Sequence, residues 1–287
     1  MFRLSLNSLG SDFRSARLVL VVADLERVPL PDRWRPFFTD IEVRWAPVES
    51  YLDYGDGEGH LFTLIDPTAD ITFLCDADTL LINELPTDFL ENIIRDPAIC
   101  GVIAHIAPPK VDKFGHDYKN LANDEFWHQL SQHVLGREIV LPYQYTLRPQ
   151  LGHCPFYINY GFVVGTPDLL MELHRNLSIV QPAIRKWLDN DFYGQLGIAL
   201  GVESGNLPTR ALPMRYNFPN DVRAEERYPE ELTNVLVIHY LRTQIFDRQQ
   251  IFSNEANFDA FMSIELAGSN AVFQRRVRDL TNAIYPF

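Results

Sequence analysis

Short apolar runs alternate along the chain with longer stretches in which apolar residues recur every three or four positions. The runs predict strands and the recurrences predict helices that turn one face inward. Strands are expected at Arg17–Ala23, Ile41–Ala46, Ile71–Cys75, Gly101–Ile106, Tyr157–Val164, Thr209–Pro213 and Asn234–Tyr240. Helices are expected at Pro86–Ile94, Asn123–Val134, Pro167–Ile179, Asp189–Leu200, Glu255–Leu266 and Asn270–Ile284. Phe2, Leu6, Leu9 and Phe13 follow at intervals of four, three and four, so the chain is expected to open on a helix. Two stretches read as loops: Tyr51–Thr68, with Gly55, Gly57, Gly59 and Pro67, and Pro142–Pro155, interrupted by Pro149 and Gly152. Alternation of strands and helices argues an α/β architecture. No shift in composition marks a linker, so residues 1–287 are expected to form one domain, with helices at about 254–285 packed on the rest.

Composition narrows the function classes. Acidic residues number 38 against 25 basic ones, a formal net charge of −13. Such a surface repels nucleic-acid phosphates, so no nucleic-acid partner is expected. An anionic ligand would need local help from a metal ion or a few placed arginines. Lysine occurs only at positions 110, 113, 119 and 186. The three cysteines, Cys75, Cys100 and Cys154, show neither a CxxC pair nor a disulfide framework, which fits a reducing compartment. No apolar run approaches the ~20 residues of a membrane span, and no signal pattern opens the chain, so a cytoplasmic protein without a transmembrane segment is expected.

The strongest local signal is Ile71-Thr-Phe-Leu-Cys-Asp-Ala-Asp78, an apolar strand running into two aspartates one residue apart. Ligands of open α/β sheets bind beyond the carboxyl ends of the strands. Two carboxylates there concentrate negative charge, which a cation relieves. Oxygen ligands select hard divalent ions, Mg2+ or Mn2+, and such an ion would bridge a diphosphate to an acidic protein. Without an ion, the same residues would be solvated, turn-forming aspartates.

Two chemistries share a strand that ends in Asp-x-Asp. Phosphatases of the haloacid dehalogenase type use D-x-D-x-T with the first aspartate, here Asp76, as nucleophile. In this chain Thr79 follows Asp78 one position early, and the lysine those enzymes need is scarce. The second user is the GT-A fold. Tyr157-Ile-Asn-Tyr-Gly-Phe-Val-Val-Gly165 resembles the Asn-x-Gly strand of glycosyltransferases of the glycogenin and bacterial lipopolysaccharide galactosyltransferase type (family eight-like). Asp189-Asn-Asp-Phe resembles their Asp-Gln-Asp helix start. Leu212-Pro-Met-Arg-Tyr-Asn217 resembles their Leu-Pro-x-x-Tyr/Phe-Asn turn. Val235-Leu-Val-Ile-His-Tyr240 resembles their late apolar strand ending in a metal-binding histidine. The resemblance spans about residues 17 to 245 and lies in ordered motifs, not in continuous identity.

The resemblance implies a GT-A domain with a mixed central sheet and a hexosyltransferase activity, retaining in type, whereas a carboxylate base such as Asp191 would mean inversion. A sugar would move from a nucleotide diphosphate sugar, a UDP-sugar foremost, to an acceptor hydroxyl that the sequence does not identify. It implies Asp76, Asp78 and His239 as ligands of Mn2+ or Mg2+, with Asp76 also near the ribose. Asn159 and Gly161 would line the donor sugar, and Asn217 and Arg242 would complete donor binding. Asp189, Asn190 and Asp191 would sit at the reacting centre, although Asp and Asn there also suit helix capping. Two departures stand out. After the histidine the family carries a glycine and a diphosphate-gripping lysine, whereas this chain has Tyr240, Leu241 and Arg242, so Arg242 either replaces the lysine or is a surface arginine, with Arg210 and Arg215 as a reserve of positive charge. An opening helix also leaves the family's first, nucleotide-gripping strand missing. The alternatives are therefore the phosphatase and a non-catalytic GT-A-like protein lacking that strand. Phe126, Trp127, Tyr143 and Tyr145 would stack on an acceptor sugar if exposed, but aromatic residues at this density are more often core.

Overall fold

A computed structural model of the chain describes residues 1–9, 16–22, 32, 41–46, 61–111, 115, 117–189, 192–241, 245–247 and 250–287. Most of the predicted loop at 51–68, and Phe13 of the opening stripe, lie outside the described residues. The chain opens on helix α1, Phe2–Ser8. Strands β1, Leu18–Val22, and β2, Ile41–Trp45, pair in parallel. Strand β3, Thr72–Cys75, is followed after a turn by β4, Thr79–Leu81, then helix α2, Thr87–Arg95, and strand β5, Ile99–Ile103. Helix α3, Asn123–Leu135, precedes a short antiparallel pair, β6, Tyr143–Gln144, and β7, His153–Cys154, inside the predicted loop at 142–155. Strand β8, Ile158–Gly165, leads into helices α4, Pro167–Trp187, and α5, Tyr193–Gly205. Strands β9, Thr209–Ala211, and β10, Phe218–Pro219, come next. Helices α6, Val222–Arg227, and α7, Pro229–Thr233, lead to strand β11, Val237–His239. Helices α8, Glu255–Ser263, and α9, Gly268–Thr281, close the described chain.

Two sheets meet at the end of β3. The central one has the order β3-β8-β5-β9 and is mixed: β8 runs antiparallel to both β3 and β5, and β9 runs parallel to β5. The second has the order β10-β11-β4, with β10 parallel and β4 antiparallel to β11. Residues of β5 and β8 divide between two cores, across a register irregularity between Gly101 and Ile103. Cys100, Val102, Phe162 and Val164 join Leu80, Ile238, Phe258 and Phe273 on one face. Ile99, Ile103, Ile158 and Val163 join Trp127, Leu173 and Leu200 on the other. Both faces are covered, so these strands read as continuous apolar runs and not as alternating ones.

The opening helix is shorter than its stripe, ending at Ser8 with Leu9 extended beyond it. Leu6 and Leu9 are buried in the same core as Leu80 and Leu81. The Arg276 guanidinium of α9 donates to the Leu81 carbonyl (Nε to O, 3.0 Å), capping the free edge of β4.

Several element bounds differ from the pattern, each for a local reason. The strand predicted to reach Ile106 ends at Ile103, because the Ala104 and His105 carbonyls accept from the amides of Thr146 and Leu147 instead. The helix expected to stop at Ile179 continues through Pro182 to Trp187, buried by its apolar face even though a proline lacks the ladder N–H. The helix expected from Asp189 starts at Tyr193, so Asp189 stands outside it. The last strand is shorter than Asn234–Tyr240, since the Leu236 amide turns to the Arg215 carbonyl.

Three of the aromatic candidates are core. Phe126, Trp127 and Tyr145 are fully buried, and Tyr143 is half-buried. The indole Nε1–H of Trp127 donates to the Tyr145 hydroxyl at 2.8 Å. Tyr145→Phe strands that donor in the core, and thermal melts are expected to show a loss of about 1–3 kcal/mol. An unchanged melting temperature would show the bond to be dispensable. Among the described residues no helix is long and apolar enough to cross a membrane.

Candidate metal centre

Strand β3 ends at Cys75, and a tight turn follows. The Thr79 amide and hydroxyl both donate to the Asp76 carbonyl, at 3.2 and 2.7 Å. Thr79 is fully buried, so the turn is anchored from below while the two aspartate side chains remain half-buried above it. The chain re-enters a sheet at once. Thr79 of β4 stands opposite His239 of β11, and the Tyr240 amide donates to the Asp78 carbonyl at 2.9 Å. The antiparallel register therefore delivers a histidine from a distant segment to the Asp-x-Asp turn.

Three side chains converge there. His239 Nε2 lies 2.9 Å from Asp78 Oδ1 and 3.4 Å from Asp76 Oδ2. The three ligand atoms all lie within 4.8 Å of one another. Ligands adjacent on an octahedral ion, with bonds of 2.0–2.1 Å, stand about 3 Å apart, so the spacing suits a single divalent ion. Two carboxylate oxygens and one imidazole nitrogen form a hard-to-borderline donor set, compatible with Mg2+, Mn2+ or Zn2+. Cys75, half-buried beside this group, is not a natural ligand. Desolvation, with the Asp76 charge adding to it, pushes its thiol well above the usual range and keeps it protonated. Burial raises the other two thiols as well, Cys100 to about 11 and Cys154 to about 12.

The far edge of the histidine ring is equally occupied. His239 Nδ1 lies 3.2 Å from Asn159 Oδ1, which also accepts from the Gly161 amide at 2.9 Å and from Asn217 Nδ2 at 2.8 Å. Gly161 carries no side chain because the ring leaves no room. A Cβ built there would lie 2.3 Å from His239 Nδ1 and 2.6 Å from Asn217 Oδ1. The close approach that this glycine permits is that of the histidine.

The structure thus brings together Asp76, Asp78, His239, Asn159, Gly161 and Asn217. Asp189 is not part of the metal group. It is buried beyond the end of α4 and paired with Arg185 one turn back (Oδ1 to Nε, 3.7 Å), whose guanidinium lies over the Tyr193 ring. Asn190, Asp191 and Arg242 lie outside the described residues. The two arginines expected as a reserve of positive charge each face an acid. Arg210 holds the carboxylate and carbonyl of Asp96, and Arg215 faces Glu231. Thr79, the anchor of the turn, was not among the predicted site residues. Its hydroxyl one position after the second aspartate was the available signal. No protein-family model matches the chain, and no curated protein matches it.

Proposed function

We propose that this chain is a divalent-metal-dependent glycosyltransferase that moves a sugar from a nucleotide diphosphate sugar, a UDP-sugar foremost, to an acceptor hydroxyl. The observation that carries this reading is the convergence of Asp76 and Asp78 with His239, 161 residues beyond Asp78 in the chain, at the carboxyl end of a sheet strand. The ordered motifs at 157–165, 189–192, 212–217 and 235–240 support it.

In this reading Asp76, Asp78 and His239 hold Mn2+ or Mg2+. When bound, the ion neutralises charge that develops on the departing diphosphate. The chain's own residues then orient the reactants. A ring that ligates through Nε2 carries its proton on Nδ1, toward Asn159 Oδ1. The Asn159 amide Nδ2, which makes no hydrogen bond among the described residues, is left to face the donor. Arg242 is assigned to the diphosphate as a bidentate clamp. Asp189, Asn190 and Asp191 are assigned to the sugar hydroxyls and the reacting carbon.

A ligand that binds only the folded state raises its stability, by about 2.7 kcal/mol at a hundredfold excess over Kd. For a domain of this size that is a rise of roughly 4–5 °C. UDP is expected to give this shift only in the presence of Mn2+ or Mg2+. Absence of a shift with any nucleoside diphosphate and either ion would overturn the reading. Phosphate release from simple phosphate esters, abolished by Asp76→Asn, would replace it with the phosphatase.

A further inference from the structure

His239 meets the two aspartates through Nε2, and the opposite edge of its ring decides whether that atom is free to bind an ion. The Asn159 atom 3.2 Å from Nδ1 also receives the Gly161 backbone N–H. A backbone N–H can only donate, so this atom is the amide oxygen. Asn217 Nδ2 brings a second N–H to the same oxygen. The oxygen has no proton to give, so Nδ1 must carry one. In a neutral imidazole the lone pair then falls on Nε2, the atom aimed at Asp76 and Asp78.

We propose that Asn159 is a positioning residue of the metal centre, fixing through Oδ1 the tautomer and ring angle that make His239 a ligand. The inference rests on the metal reading of the site and assigns Asn159 a task other than contact with the sugar through that oxygen. Asn217 supplies an independent observation. It is fully buried, and its own Oδ1 has no hydrogen-bond partner among the described residues. A buried orphan acceptor costs about 1–3 kcal/mol. Turning the amide over would set oxygen against oxygen, and an apolar residue would avoid the cost. The arrangement is intelligible if Nδ2 is required on Asn159. The hub oxygen is thus held by the backbone at Gly161 and by Asn217, and it presents its remaining capacity to the histidine.

The test uses the whole chain, 15N-labelled at histidine, with His239 assigned by its absence in His239→Gln. The wild type is expected to show a slowly exchanging Nδ1–H for His239. Asn159→Ala should lose that proton signal and weaken Mn2+ binding about 10–100-fold, as removal of an outer-shell partner of a ligating histidine does. Asn159→Asp, which accepts the same three donors, should restore both. An unprotonated Nδ1 in the wild type, wild-type Mn2+ affinity in Asn159→Ala, or equal loss in both variants overturns the proposal. Absence of Mn2+ binding by the wild type overturns the metal reading and this inference with it, whereas a binding wild type with an unaffected Asn159→Ala overturns the inference alone.

Discussion

Asp78→Ala abolishes Mn2+-dependent binding of UDP while leaving the metal-free fold nearly as stable as the wild type. The two halves of this expectation have different causes. Asp78 Oδ1 is the nearest carboxylate oxygen to His239 Nε2, at 2.9 Å, and one of only two carboxylates in the group. Without it the ion keeps one oxygen and one nitrogen from the protein. Stability is spared because the aspartate is half-buried and its removal relieves repulsion against Asp76. The histidine also retains Asp76 Oδ2 at 3.4 Å. If the ion supplies several kcal/mol of transition-state stabilisation, sugar transfer should fall by roughly three orders of magnitude. Calorimetric titration with Mn2+ and thermal melts without it check the two halves separately. Retention of wild-type Mn2+ affinity would remove the basis for the metal centre.

Gly161→Ala should damage both the fold and the site, although it adds a single methyl group. That methyl would lie 2.3 Å from His239 Nδ1 and 2.7 Å from Cε1, on a ring that is buried and held at both nitrogens. Forced overpacking of this kind costs typically about 1–3 kcal/mol. The ring can give way only by swinging out of line with Asp76 and Asp78, so Mn2+ affinity should fall together with the melting temperature. The backbone at Gly161 is not left-handed, so the cost comes from contact and not from strain. A variant as stable as the wild type that binds Mn2+ normally would show that the ring has slack.

The parts of this site that could be read from the sequence are those whose chemistry sits next to their structural cue. Asp76 and Asp78 terminate an apolar strand, and His239 terminates another, so polarity changes abruptly where each strand reaches the sheet edge. The role of Asn159 could not be read in this way. An asparagine two residues before a glycine looks the same whether its oxygen faces solvent or a histidine 80 residues later. Its second partner, Asn217, lies 58 residues away and resembles ordinary turn chemistry. The start of the helix after Leu188 could not be read either. Asp-Asn-Asp reads as a helix start, yet α5 begins at Tyr193 and the carboxylate turns back to Arg185. The early stop predicted for α4 at Ile179 has a similar cause, since Pro182 is a local breaker that burial of the helix face overrides.

The two sheets that meet at the Asp76–Thr79 turn give the site an unusual dependence on the rest of the molecule. One half of the donor set is local, two acids separated by a single alanine, and such a pair alone holds a cation loosely. The other half arrives only when β11 has zipped onto β4. A nascent or truncated chain that stops short of Val237 carries the acids without their imidazole. If the group holds an ion as proposed, tight capture would report completed tertiary assembly, and a chelator would distinguish fully folded molecules from partly folded ones.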